Sequence, residues 1–138
     1  MLEALLRPSR VVHAHCDVPC GVYDPAQARI EAESVKAIQT RYQDADKFKM
    51  ASETVEDYKS RCLIIKEERA DLVKHHLWVL WTDYFKPEHI ERYPDLHDKF
   101  WKATKEAGLS KKSQDPTQGQ KLLDAIDELG KIFWETKS

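Results

Sequence analysis

Apolar residues recur with a helical period in four stretches of the chain, and no stretch alternates as a strand would. The first stretch opens at Asp24-Pro25, where Asp24 is placed to cap a helix and Pro25 to take its first position. Behind them Ala28, Ile30, Val35, Ile38 and Tyr42 share one broad face, and the polar run from Gln43 to Met50 reads as a connection. A second helix is expected from Ser52 or Thr54 to about Tyr84. Leu63, Ala70, Leu77 and Tyr84 repeat every seven residues, as do Ile65, Leu72 and Val79, with Val73 and Leu80 widening the stripe. Lys86-Pro87 ends it. Pro94 opens a third helix carrying Leu96, Phe100, Ala103 and Ala107, with Gly108 at its C-terminal cap. After the link from Leu109 to Gln114, Asp115-Pro116 repeats the first capping pattern ahead of Leu122, Ile126, Leu129 and Phe133. Four amphipathic helices on short polar links predict an all-α, up-and-down four-helix bundle.

Composition narrows what such a bundle does. The 138 residues are 41% apolar and 33% charged, with a mean hydropathy of -0.66, and no segment has the length of apolar sequence that spans a membrane. The net charge of -2 gives no basic field for nucleic acid. Trp78, Trp81, Trp101 and Trp134, with Tyr84, Phe85 and Tyr93, are many aromatics for one small core. They either form an interface between copies of the chain or fill the bundle's ends. The bundle offers no di-metal signature, because no Glu is followed by His three positions later. His75 and His76 are adjacent and point about 100° apart on a helix, so they cannot share one ion. His89 and His97 read as surface or cap histidines.

The N-terminal segment is where the chemistry concentrates. In Met1 to Ala14, Glu3, Arg7, Pro8 and Arg10 interrupt any apolar core a secretory signal would need. The segment is a frayed arm or a short pro-segment. Immediately after it comes His15-Cys16-Asp17-Val18-Pro19-Cys20-Gly21-Val22-Tyr23. Cys16 and Cys20 are spaced C-x3-C rather than as a redox C-x-x-C, and a four-ligand zinc site would have only Cys16, Cys20, His13 and His15 to draw on. A local disulfide would not persist in a reducing cytosol. A chain beginning at His15 offers another possibility. Its free amine, the Cys16 backbone nitrogen and the Cys16 sulfur would form two fused chelate rings, and Cys20 would complete a plane of two nitrogens and two sulfurs. The His15 imidazole would approach from above. Such a set suits Ni(II), and the axial nitrogen suits its oxidised form.

This H-C-D-x-P-C-G-x-Y stretch, with the sequence from Ala26 to Val35, closely resembles the nickel superoxide dismutase family. The likeness continues through Lys66 to Leu72, Lys74-His75-His76, Leu80 to Pro87 and Lys131 to Lys137, so it covers nearly everything from His15 onward. The resemblance implies superoxide as substrate, one nickel ion per subunit, a homohexamer of four-helix bundles, and a cytoplasmic location. It implies a pro-segment over 1–14, cut by a protease between Ala14 and His15, then a nickel hook over 15–23 and a bundle over 24–138. His15, Cys16 and Cys20 are thereby the expected metal ligands. Glu31 and Arg69 match the residues holding the axial imidazole, Tyr23 the tyrosine beside the open coordination face, and Asp17 and Pro19 residues shaping the hook. Two departures stand out: Val18 replaces the usual Leu, and the link from Arg41 to Arg61, followed by Cys62, is longer than the family pattern. Two other readings of the same residues are a non-catalytic nickel or zinc carrier and a helical interaction module whose cysteines pair.

Overall fold

A computed structural model describes residues 20–137 of the chain. Its helices are α1 (Ala26–Gln43), α2 (Ala45–Phe48), α3 (Val55–Val79), α4 (Pro87–Arg92), α5 (Leu96–Lys112) and α6 (Pro116–Lys137), and α3 runs on into a π-helical turn over Leu80–Tyr84. Among the described residues there is no strand.

The four long helices form a ring of antiparallel neighbours, as paired side chains along each seam demonstrate. Arg29 meets Asp127 and Lys36 meets Gln120 between α1 and α6. Glu31 meets Arg69 and Tyr42 meets Lys59 between α1 and α3. Lys66 reaches Ser110 near one end of the α3–α5 seam, and Trp81 packs on His97 near the other. Lys99 bonds Glu128, and Gln118 bonds Glu106, between α5 and α6. The all-α, up-and-down bundle is therefore the fold. Ala32, Leu77, Leu96, Leu122, Ile126 and Phe133 lie in the core between the four stripes.

Local chemistry sets the helix starts. Asp24 Oδ1 accepts the Ala26 N–H at 2.8 Å, Thr54 Oγ1 the Asp57 N–H at 3.1 Å, and Asp115 Oδ1 the Thr117 N–H at 2.9 Å. Each satisfies a backbone donor that the first helical turn leaves without a partner.

Several expectations are corrected. The buried stripe of α3 is Lys66, Ala70, Val73 and Leu77, continued by Leu80, whereas Leu63, Leu72 and Val79 are half-buried and Ile65 is exposed. Ala70, Val73, Leu77 and Leu80 are buried as expected, and Lys66 is the buried position that the apolar pattern leaves out. On α1 the buried positions are Ala28, Ala32, Val35 and Gln39, leaving Ile30 on the surface. The polar connections contain the short helices α2 and α4. Gly108 does not cap α5, which continues to Lys112 with its C-cap at Ser113. The physical reason is Lys66. Its side chain is only 1% exposed, and its ammonium donates to the carbonyls of Ser110 (3.1 Å), Lys111 (2.6 Å) and Ser113 (2.7 Å). A cation that satisfies terminal carbonyls lets the helix run one turn past the glycine. Three tryptophans, Trp78, Trp101 and Trp134, are about half exposed, so they do not fill the bundle ends. Trp81 alone packs inward, against Phe100 at 5.0 Å.

Candidate functional site

The site is built where the N-terminal segment enters the bundle. Cys20 is exposed, and its sulfur accepts the Val22 backbone N–H at 3.5 Å. Gly21 between them has φ +67°, and it is the positive φ found among the described residues. A side chain at that angle crowds the following carbonyl, so glycine is what allows the tight bend over the sulfur.

Tyr23 follows the bend and is half-buried. Its ring lies 5.7 Å from that of Tyr84, and its carbonyl accepts the Lys137 ammonium at 3.1 Å. Tyr84 belongs to the π-helical turn, where the Phe85 N–H bonds back to the Leu80 carbonyl at 3.1 Å. The wider turn presents Tyr84 to Phe133 at 4.4 Å, Phe85 at 5.0 Å and His89 at 5.7 Å. Single-turn π segments are frequent at functional sites. His89 is held in turn by accepting the Lys86 N–H at its Nδ1, 3.1 Å away.

Glu31 and Arg69 meet across α1 and α3. Arg69 Nη1 donates to Glu31 Oε1 and Oε2 at 3.3 and 3.2 Å, with the Glu31 side chain 16% exposed and Arg69 37%. A partly buried carboxylate paired to a guanidinium keeps acceptor capacity for a further N–H. Of the eight residues singled out from sequence, the structure thus joins Glu31 to Arg69 and places Cys20 and Tyr23 on one short segment. His15, Cys16 and Asp17 lie outside the described residues, as does Pro19. Among the described residues no three His, Cys, Asp or Glu side chains come together as a metal-binding group. Tyr84 and Lys137, both against Tyr23, escaped the sequence reading as site residues. The aromatic cluster around Tyr84 was a visible signal; a lysine at the end of α6 carried none.

Fold and site together define a class: an antiparallel helical bundle whose exposed thiol sits on a glycine bend just ahead of the first helix. The family model described as nickel-containing superoxide dismutase matches residues 10–137. The superoxide dismutase [Ni] of Streptomyces coelicolor is 54% identical over 137 residues, covering 99% of this chain and 98% of the relative. That of Streptomyces seoulensis is 56% identical with the same coverage. A native nickel superoxide dismutase structure aligns with a TM-score of 0.80 at 54% identity, over 89% of this chain and 98% of that one. A second structure aligns equally well at 56% identity and the same coverage; its nickel ligation corresponds to a partly X-ray-reduced state. The chain belongs to the nickel-containing superoxide dismutase family.

Proposed function

We propose that this chain is a superoxide dismutase whose nickel is held by an N-terminal hook formed from His15, Cys16 and Cys20. When bound, nickel supplies one-electron cycling between its +2 and +3 states, which serves the conversion of superoxide to dioxygen and hydrogen peroxide. The donor chemistry fits that ion. Cys20 offers an exposed sulfur that accepts the Val22 N–H, and electron-rich thiolates favour the higher oxidation state. Cys16 supplies the second sulfur and its backbone nitrogen, and His15 its amine and imidazole.

The remaining residues support these donors. Glu31 takes the far nitrogen of the His15 imidazole, fixing ring orientation and basicity. Arg69, bonded to both Glu31 oxygens, holds that carboxylate in place and balances its charge. Tyr23, seated on Tyr84, borders the face where superoxide approaches. Asp17 and Pro19 shape the loop.

The His15 amine exists only after a cut between Ala14 and His15, so residues 1–14 are the pro-segment of a precursor trimmed by a protease. Coverage of this chain falls from 99% against the curated relatives to 89% against the solved structures. Fourteen residues of 138 are about that tenth. The trimmed domain, hook over 15–23 and bundle over 24–138, works in the cytoplasm as a homohexamer. The half-exposed tryptophans support assembly: Trp78 and Trp101 line a groove of about 410 Å³ with Trp81, His97, Phe100 and Thr104. No helix among the described residues is long and apolar enough to cross a membrane.

The observation that carries this reading is the family match running through the hook. Superoxide decay by nickel-loaded protein beginning at His15, compared with uncut chain and with trimmed Cys20→Ser, tests it. The trimmed parent should turn over superoxide rapidly, and both comparators should fall by more than about a hundredfold, as expected when a ligand is lost. Equal turnover by the uncut chain would remove the amine from the mechanism. Nickel retention without turnover in the trimmed parent would favour a carrier.

A further inference from the structure

We propose that Lys137 is a positioning residue for the hook, latching the segment that leaves the metal site onto the last turn of α6; the inference rests on the hook reading above. Tyr23 is the residue through which the hook joins the bundle, and both its ends are held by that turn. Its carbonyl lies ahead of the α1 cap, where the helix makes no use of it: the helix ladder begins with Arg29 N–H to the Pro25 carbonyl. Lys137 Nζ takes the Tyr23 carbonyl at 3.1 Å.

The ring of Tyr23 is held indirectly by the same turn. Thr136 Oγ1 donates to the Phe133 carbonyl at 2.7 Å, which uses its one proton. The 2.8 Å contact between Tyr84 and Thr136 is therefore a bond donated by the Tyr84 hydroxyl. Tyr84, so fixed, forms the wall against which the Tyr23 ring packs. Two bonds from residues 136 and 137 thus set the direction in which Val22, Gly21 and Cys20 leave the bundle.

Lys137 is not a loose terminal lysine. Its ammonium lies 5.0 Å from the Phe133 ring centroid and 5.5 Å from that of Trp134. Aromatic faces attract a cation, and the C-terminal end of a helix does as well. Three attractions hold the donor where the Tyr23 carbonyl needs it.

The test uses full-length chain trimmed to His15 and loaded with nickel. Lys137→Met keeps the aliphatic stem over Phe133 and Trp134 and removes the charge and donor; Lys137→Arg restores both. The readouts are nickel loss to a chelator, hydrogen exchange over residues 20–25, and Tm. One exposed charge-assisted bond corresponds to a change of roughly three- to tenfold. Lys137→Met should lose nickel and exchange over 20–25 faster by about that factor, with Tm within about 2 °C of the parent and Lys137→Arg close to parent values. Unchanged nickel loss and exchange in Lys137→Met would overturn the proposal, as would a Lys137→Arg variant that behaves like Lys137→Met. A Cys20→Ser control that retains nickel as tightly as the parent would instead refute the hook reading. Exchange over 20–25 in nickel-free protein still tests the latch in that case.

Discussion

At the end of the bundle that carries Tyr23, the groups with chemistry to do face solvent, whereas at the opposite end a lysine ammonium lies inside the protein. Around Tyr23 the contacts are aromatic: Tyr84, Phe85, His89 and Phe133 pack ring against ring, and Cys20 stands exposed beyond them. At the far end Lys66 and Gln39 are buried and both reach the Ser113 carbonyl, Gln39 Nε2 at 3.0 Å. Aromatic contact is tolerant of direction and leaves an access face. Three charge-assisted bonds from one ammonium are not tolerant, and they lock the end of α5 to α3 and, through Ser113, to α1. The bundle is pinned at one end, and the other, where Cys20 stands exposed, is the end to which the proposed hook belongs.

Lys66→Ala should break this contrast most severely. It leaves the carbonyls of Ser110, Lys111 and Ser113 without their donor and opens a cavity, for a loss of about 3 kcal/mol in stability measured by urea unfolding. Nickel retention by the trimmed chain at 25 °C should stay within about twofold of the parent, because Lys66 bonds the end of α5 and not residues 20–23. Loss of nickel in step with stability would show that the two ends are coupled.

Gly119→Ala probes the same end through packing. A Cβ built there lies 2.8 Å from the Lys36 Cα and collides with the Gln39 side-chain oxygen. Backbone cannot yield as a flexible side chain does, so α1 and α6 must separate, at about 2 kcal/mol. Calorimetry should show a lowered Tm with superoxide turnover unchanged at 25 °C. Gly21→Ala is the opposite experiment. No atom lies within 4 Å of its built Cβ, yet φ is +67°, so the penalty is conformational and about 1 kcal/mol, confined to the bend. It should weaken nickel binding roughly fivefold and leave Tm unmoved. A lowered Tm with intact nickel binding would place Gly21 in the bundle's stability rather than in the hook.

What could be read from the sequence follows the same division. Periodicity and capping residues gave the four long helices, because Asp24, Thr54 and Asp115 act on their own neighbours within three residues. The nine-residue motif from His15 to Tyr23 pointed to the chemistry for a related reason: chelation by consecutive residues is local and survives in one dimension. Glu31 and Arg69, joined from different helices, came only through the family resemblance. Lys66 was missed on the buried face of α3 because hydrophobicity alone prefers Ile65 to it. A lysine earns burial only from carbonyls 44 to 47 residues away, and those partners have no signature in the pattern. Lys137 is the same case at the hook, with Tyr23 at a separation of 114.

The smallest effect is a dependence on pH at the pinned end. Burial lowers the pKa of the Lys66 amine below the ordinary lysine value, opposed by the nearby Glu67 carboxylate. The folded chain therefore releases this proton at a lower pH than the unfolded chain does. Between the two values the unfolded state binds more protons, so this residue makes unfolding costlier as pH rises, and its effect levels off above the ordinary lysine value of about 10.4. Lys66→Met, which keeps most of the volume, isolates the effect, since titrations common to both chains cancel in the difference. Urea unfolding of both chains from neutral pH to about pH 11 should show the parent gaining on the variant across that window. A difference that moved against the parent would mean that the carbonyls of Ser110, Lys111 and Ser113, which favour the charged amine, outweigh burial. The pinned end would then depend on a full positive charge held in the protein interior.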